Sequence, residues 1–142
     1  MEYRNRMVLE ILSLPENVGL ARVAVASFAA QLDFSWGEIE EIKVATSEAV
    51  SNAVIHAYPG VQGTIRITAT LRDRELDMVV EDQGRGIGDV EKAKEPSFST
   101  QPDRMGLGFV FMDSFMDLLE VDSAIGRGTR VRMVKRCRGA SP

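Results

Sequence analysis

Hydrophobic spacing divides the first third of the 142-residue chain into a short strand followed by two helices. Residues 6–13 are largely apolar and predict an opening strand. The alanine-rich stretch that follows has apolar residues three or four positions apart as far as Leu32, which is typical of a helix with one buried side. The expected buried side of this first helix comprises Leu20, Val23, Ala24 and Phe28.

Helix start signals occur twice in this part of the chain. Ser13 is followed three residues later by Glu16, and Ser35 by Glu38, and both pairs have the spacing of a capping box. The second helix is expected to end before Pro59, because a proline disfavours helical geometry at the residue that precedes it. Its expected inner face comprises Ile39, Ile42, Ala45, Ala49 and Ala53.

The spacing then changes from helical to alternating. Every second residue is apolar at 65–71 and again at 76–80, which predicts two strands joined by a turn at Asp73. A long glycine- and proline-containing stretch, with a possible short helix at residues 89–94, leads to a third helix and a closing hairpin. The third helix is expected to bury Leu107, Val110, Phe111, Phe115 and Leu118, together with Met112 and Met116. Residues 135–138 after the hairpin are read as a solvated end.

This order of elements predicts an α+β fold. We expect a two-layer sandwich in which helices cover one face of a mainly antiparallel sheet. The chain length is typical of one domain, so residues 1–142 are expected to form a single domain.

Composition narrows the classes of function. Seventeen basic and 21 acidic residues give a net charge of −4, which argues against generic binding to nucleic acid or to an anionic membrane. The single cysteine, Cys137, excludes an internal disulfide, and the single histidine, His56, excludes a histidine-rich metal site. The sequence contains no apolar run long enough to cross a membrane, so we expect a cytoplasmic protein.

Two polar residues share the inward register of the predicted sheet. Asp82 continues the alternation of the second predicted strand, and Thr129 continues that of Val131 and Met133. A carboxylate on the covered side of a sheet is costly unless it is hydrogen-bonded, so the pair is a candidate pocket for a flat polar ligand. The alternative is that both residues cap turns at solvated strand ends.

A second polar group lies on the second helix. Glu48 and Asn52 are four residues apart and therefore lie on the same side of the helix, and His56 extends this stripe by one turn. A carboxylate beside an amide suits a site where one group accepts a proton and the other holds a hard cation. The alternative is a solvated polar edge.

Glycines cluster after one predicted strand and before the third predicted helix. DQGRGIG occupies residues 82–88, and GLG occupies residues 106–108. Glycines at a helix start let backbone amides approach phosphate oxygens, with the helix dipole assisting. Neither cluster is a Walker A loop or a dinucleotide-binding fingerprint.

These motifs resemble those of the gyrase, Hsp90, histidine-kinase and MutL ATPase superfamily, whose nucleotide pocket is called the Bergerat fold. EAVSNA at residues 48–53 matches the N box, and the two glycine clusters match the two glycine boxes. Within the superfamily, the chain is similar to bacterial anti-sigma factors that are also serine kinases, above all the sporulation anti-sigma F factors. The similarity also covers LARVAVASFAAQLD, EIKVATSEAVSNAVIHAY, EPSFST and GFVFMDSFMD.

The resemblance implies a role for each motif residue. Asp82 would accept a hydrogen bond from the adenine amino group, Glu48 would be the general base, and Asn52 would ligate Mg²⁺. His56 matches a packing position and is read as structural. The remaining ATP- or ADP-binding residues that the resemblance implies are Gly84, Gly86, Ser99, Thr100, Arg104, Gly106, Leu107, Gly108 and Thr129.

The resemblance also implies partners. The chain would phosphorylate a serine of an anti-anti-sigma protein with Mg-ATP and sequester a sigma factor of the sigma F type, with Arg22 at a partner contact. The family forms homodimers, and the opening strand is the expected interface. Two alternatives are an anti-sigma kinase of the general stress response with the same fold, and a nucleotide-gated binding module that transfers no phosphate.

Overall fold

The computed structural model describes residues 4–94 and 105–138. Its five strands form one sheet in the order β1-β2-β3-β5-β4, in which all neighbours are antiparallel. The helices pack together on one face of this sheet, which confirms the predicted α+β class. The elements are β1 (Asn5–Leu12), α1 (Glu16–Ala29), α2 (Trp36–His56), β2 (Thr64–Arg72), β3 (Glu75–Asp82), α3 (Val90–Ala93), α4 (Met105–Phe115), β4 (Leu118–Ala124) and β5 (Gly128–Arg136).

The two faces of the sheet differ in chemistry because side chains alternate along each strand. The face toward the helices is apolar and fully buried at its centre. The opposite face carries a row of charged side chains, one from each strand. The strand register pairs them so that acidic and basic residues alternate across the sheet. That row consists of Glu10, Arg66, Glu81, Arg130 and Asp122. The buried face contains Ile65, Ile67, Ala69, Leu71, Leu76, Met78, Val80, Val131 and Met133.

Helix α2 begins and ends where the sequence predicts. Ser35 and Glu38 form the expected capping box, with the Glu38 backbone N–H donating to Ser35 Oγ at 3.1 Å. The helix ends at His56, three residues before Pro59. No helix in the described segments is long and apolar enough to cross a membrane.

Helix α1 differs from its prediction in two ways. Ser13 does not cap the helix, because its hydroxyl accepts a hydrogen bond from Gly63 N–H at 2.9 Å, and the N-cap is Pro15 without a side-chain bond. The predicted buried residues Leu20 and Val23 are 53% and 59% exposed. Phe28 is buried as predicted, and the other buried residues of the helix are Ala21, Val25 and Ala29.

Helix α4 likewise turns a different side toward the core. Phe109 and Met112 are buried, as is Met116 just after the helix, whereas Leu118 is exposed and begins β4. Phe115 is only half-buried and stacks on Phe111 with 6.1 Å between ring centroids. The expectation that Met112 and Met116 are core residues is therefore confirmed, and the expected Leu107–Leu118 stripe is wrong.

The chain end predicted to be solvated is partly buried. Strand β5 continues to Arg136, and its alternation turns Lys135 and Cys137 toward the helices, where they are 5% and 3% exposed. The Lys135 ammonium donates to Glu41 of α2 at 2.6 Å and to the backbone carbonyl of Phe115 at the end of α4. Lys135 therefore joins α2, α4 and β5.

We expect Lys135→Ala to lower the free energy of unfolding by about 1–3 kcal/mol, because it leaves the Phe115 carbonyl without its donor and removes a partly buried ion pair with Glu41. Urea unfolding followed by circular dichroism measures this. The matched control is Lys43→Ala, whose exposed pair with Glu40 contributes at most about 0.5 kcal/mol. Equal losses in the two variants would contradict the assigned role of Lys135.

Candidate functional site

A pocket lies between α2, the inward face of the sheet and the start of α4. It encloses about 390 Å³ of space, including its open mouth. A few polar groups project from its mostly apolar wall, which is typical of small-molecule sites. The lining residues are Ala49, Asn52, Ala53, His56, Ala57, Val80, Asp82, Gly86, Ile87, Phe109, Thr129 and Val131.

Asp82 is the buried acid of this pocket. It is the last residue of β3 and is 7% exposed. Its Oδ1 accepts hydrogen bonds from the backbone N–H groups of Gly84 at 2.9 Å and Thr129 at 3.2 Å. Burial raises the pKa of Asp82, and these two hydrogen bonds lower it by a smaller amount. Since both bonds go to one oxygen, Oδ2 is left as the acceptor for a ligand.

Thr129 lies beside Asp82 because the two residues are cross-strand partners in β3 and β5. Its hydroxyl is 2.7 Å from the hydroxyl of Ser123, its partner in β4. The Ser123 oxygen also accepts from Ile87 N–H at 2.7 Å and lies 3.0 Å from the carbonyl oxygen of Gly128. Sequence reasoning missed Ser123, although the hairpin register that pairs it with Thr129 was available.

The glycine loop after β3 runs close to other backbone segments. A Cβ on Gly84 would lie 2.2 Å from the carbonyl oxygen of Ala57, and one on Gly86 would lie 1.9 Å from that of Ala124. Gly86 also has a φ of +77°, which side chains other than glycine rarely adopt. The loop therefore needs glycine at both positions to pass between the end of α2 and the β4–β5 hairpin.

Tyr58 anchors the start of the same loop, and sequence reasoning missed it as well. Its hydroxyl accepts from Gln83 N–H at 2.8 Å and donates to the Thr64 carbonyl at 2.8 Å. The ring lies over Gly63, where an added Cβ would be 2.4 Å from a ring carbon. Since Gln83 follows Asp82, this bond fixes the backbone next to the buried acid. No local sequence pattern predicts such a contact.

Glu48 and Asn52 converge on the first turn of α4. A Cβ on Gly108 would lie 2.8 Å from Glu48 Oε1 and 3.4 Å from Asn52 Nδ2. Gly108 itself is buried, so the backbone of α4 approaches the two side chains directly. The structure thus brings the acid–amide pair of the N box against the second glycine box.

Asn52 carries a buried polar atom without a partner. Its Nδ2 makes no hydrogen bond within the part of the chain that the structure describes. The oxygen and nitrogen of an amide exchange places when the group rotates by half a turn, so Asn52 can present either atom. An amide oxygen is a ligand that Mg²⁺ accepts, and a buried unsatisfied amide costs about 1–3 kcal/mol. The residues present fit a hydrated cation at this point.

The remaining predicted site residues fall into two groups, those that the structure describes and those outside the described ranges. Gly106 is buried and Leu107 is half-buried in the first turn of α4, where backbone amides lack helical partners. Arg22 lies on α1, half-buried, with its guanidinium folded near Gly19. His56 lines the pocket and does not lie in the core. Ser99, Thr100 and Arg104 fall outside the residues that the structure describes.

The pocket also contains apolar walls that the motifs do not mark. Val80 and Val131 belong to the inward register that contains Asp82 and Thr129, so alternation was the signal that could have identified them. Ile87 and Phe109 come from the two glycine segments, and their place in the pocket depends on loop and helix packing.

Comparison with known proteins identifies the family. Residues 11–135 match the histidine kinase-like ATPase domain family. An anti-sigma F factor of Caldanaerobacter subterraneus subsp. tengcongensis is 51% identical over 137 residues, covering 95% of this chain and 96% of the relative. An anti-sigma F factor of Clostridium acetobutylicum is 48% identical over 134 residues, covering 93% and 94%.

Solved structures show the same fold at lower identity. The RsbU and RsbW domains of a Mycobacterium tuberculosis protein align with 97% of this chain and 34% of that chain, with a TM-score of 0.64 and 20% identity. The histidine kinase domain of a blue-light activated kinase from Erythrobacter litoralis aligns with 87% of this chain and 60% of that chain, with a TM-score of 0.57 and 20% identity.

The family match assigns nucleotide binding and kinase-type use of ATP to this chain. The two relatives cover 95% and 93% of this chain, and both are anti-sigma F factors. The chain therefore belongs to the anti-sigma F factors, within the histidine kinase-like ATPase domain family.

Proposed function

We propose that this anti-sigma factor binds a sigma factor of the sigma F type and phosphorylates a serine of an anti-anti-sigma protein with Mg-ATP. The observation that carries the proposal is the convergence of Glu48 and Asn52 on Gly108, because Asn52 also lines the pocket that contains the buried acid Asp82. A binding site alone requires no carboxylate beside the phosphate end. Glu48 therefore favours phosphotransfer over the nucleotide-gated binding module.

In the proposed reaction, the serine Oγ forms a bond to the γ-phosphorus as the bond from that phosphorus to the β–γ bridging oxygen breaks and ADP leaves. Glu48 accepts the proton of the serine hydroxyl. The first-turn amides of α4, at Gly106, Leu107 and Gly108, hold phosphate oxygens. Most of the rate enhancement comes from positioning and charge stabilisation.

The adenine end of the site is assigned to Asp82. The Oδ2 oxygen left free by the two backbone bonds accepts from the 6-amino group, and Gly86 and Thr129 complete the base site. Gly84 holds the carboxylate through its N–H. A buried polar contact of this kind rejects bases that lack the donor by up to about four orders of magnitude.

Mg²⁺ is assigned to Asn52, whose buried amide lies next to Glu48 and α4. When bound, the ion neutralises phosphate charge and takes most of its remaining ligands from phosphate and water. Ser99, Thr100 and Arg104 are proposed as further phosphate donors on sequence grounds alone.

Partner binding is proposed for α1. Arg22 is the assigned contact, and exposed Leu20 and Val23 on either side of it provide apolar area. The chain is proposed to act in the cytoplasm as one domain spanning residues 1–142, with ATP or ADP determining which partner is bound. The anti-sigma F names of its relatives favour the sigma F circuit over the general stress response.

We expect Glu48→Ala to lower phosphoserine formation by about 10²–10⁴-fold, because it removes the proton acceptor. The assay mixes the protein, Mg-ATP and a candidate anti-anti-sigma protein, and detects phosphoserine by mass spectrometry. ADP affinity is expected to stay within a few-fold of wild type.

The matched control for this assay is Glu40→Ala, an acid on the exposed part of the same helix. No phosphoserine with the wild-type protein would support the binding module instead. Full activity of Glu48→Ala would remove Glu48 as the base.

We expect Asp82→Asn to weaken ADP binding at least about a hundredfold. The Asn oxygen must stay with the Gly84 and Thr129 N–H groups, so its NH₂ faces the 6-amino group, and two donors oppose each other. Isothermal titration calorimetry measures the affinity. Undiminished ADP binding would refute the base-site assignment.

The same variant is expected to be more stable than wild type at neutral pH. The raised pKa of Asp82 means that the folded state binds its proton more tightly than the unfolded state, so ionised Asp82 costs stability above that pKa. Melting temperatures should therefore favour Asp82→Asn at pH 7, and the difference should shrink as the pH falls through the raised pKa. A difference that grows on acidification would contradict this.

A homodimer formed through β1 is also proposed. This strand is an edge of the sheet, and its residues Val8 and Leu12 are 49% and 45% exposed. Multi-angle light scattering at micromolar concentration should give twice the chain mass, and Val8→Lys should shift the protein toward monomer. A wild-type monomer would count against the proposal.

A further inference from the structure

The hydroxyl of Ser123 contacts three groups beside the pocket, and its single proton can be donated to only one of them. The Ser123 oxygen accepts from Ile87 N–H at 2.7 Å. It also lies 3.0 Å from the Gly128 carbonyl oxygen and 2.7 Å from Thr129 Oγ1. A serine hydroxyl has one proton to donate and two lone pairs with which to accept.

One arrangement gives each of these three contacts a proton. The Gly128 carbonyl can only accept, so the Ser123 proton is needed there. The Thr129 hydroxyl can donate or accept, so it donates to Ser123, whose two lone pairs are then used by Ile87 N–H and by Thr129. If Ser123 donated to Thr129 instead, this contact to the Gly128 carbonyl would carry no proton.

This arrangement fixes what Thr129 offers to a ligand. Its proton points to Ser123, so toward the pocket it presents only acceptor lone pairs. Asp82, its cross-strand partner, is also an acceptor there. Two adjacent acceptors that contact the ligand directly match an exocyclic amino group, which has two N–H donors, and oppose a carbonyl oxygen at the same position.

We propose that Ser123 is a positioning residue for base selectivity, because it holds the Thr129 hydroxyl as an acceptor and thereby disfavours 6-oxopurines. The inference rests on the proposed adenine site but not on phosphotransfer. Base selectivity distinguishes this role from a merely structural one, because a structural role would affect the binding of all purine nucleotides equally.

The test compares the affinities for ADP and inosine diphosphate, which carry the same phosphates and differ at the 6-position. Wild type should prefer ADP. In Ser123→Ala the Thr129 hydroxyl is free to rotate and donate to the 6-oxo group, so the ADP preference should fall by about tenfold. Ser123→Thr keeps the hydroxyl and should restore the preference.

A double-mutant cycle shows whether Ser123 acts through Thr129. Thr129→Val removes the acceptor while leaving the bonds of Ser123 to Ile87 and Gly128, so it also tests the proposal if Ser123→Ala fails to fold. It should lower the ADP preference by itself, and adding Ser123→Ala should cause no further loss.

The outcomes that overturn the proposal differ from the one that rejects the site. Equal weakening of both nucleotides by Ser123→Ala, additive losses in the double variant, or an unchanged preference in Thr129→Val would each refute the role of Ser123. Failure of the wild-type protein to bind ADP would instead reject the proposed nucleotide site itself.

Discussion

The buried carboxylate of Asp82 is the constraint on which the proposed base end of the pocket depends. An ionised group on the covered face of a sheet is unfavourable, and two backbone N–H groups offset only part of that cost, since the pKa of Asp82 remains raised. Those donors come from different elements, the glycine loop at Gly84 and the start of β5 at Thr129. Satisfying one acid therefore fixes the loop and the hairpin relative to each other.

Helix α2 connects this base end with the phosphate end. Eight residues separate Glu48 from His56, so at 1.5 Å per residue the polar stripe extends about 12 Å along the helix axis. Its alanines keep the helix close to the sheet and leave room between the polar side chains and the strands. Helix α2 thus positions the proposed general base and the neighbouring amide, and Tyr58, two residues beyond the end of the helix, holds the residue that follows Asp82.

Alternation predicted the sheet and the inward position of Asp82, because it depends only on neighbouring residues in a strand. The capping box and Pro59, which are equally local signals, predicted the limits of α2. Lys135 obeys the same alternation, and the prediction of a solvated end is wrong because β5 extends to Arg136 and its register turns Lys135 inward. Ser123 and Tyr58 were missed for another reason. Their importance lies in hydrogen bonds to loop amides, and loop paths depend on tertiary contacts that no local pattern encodes.

Helix α4 is held against helix α2 by contacts at both of its ends. Its first turn lies against Glu48 and Asn52 with only a glycine between them, and its last carbonyl is held by Lys135, which also pairs with α2. Both contacts connect α4 to α2. A shift of α4 relative to α2 would therefore change the distance from the Glu48 carboxylate to the first-turn amides of α4. The buried Lys135 ammonium, which bonds to both Glu41 and the Phe115 carbonyl, resists that shift at the far end of the helix. Precise placement of the proposed base is thus maintained by residues outside the pocket, which sequence motifs for the site do not contain.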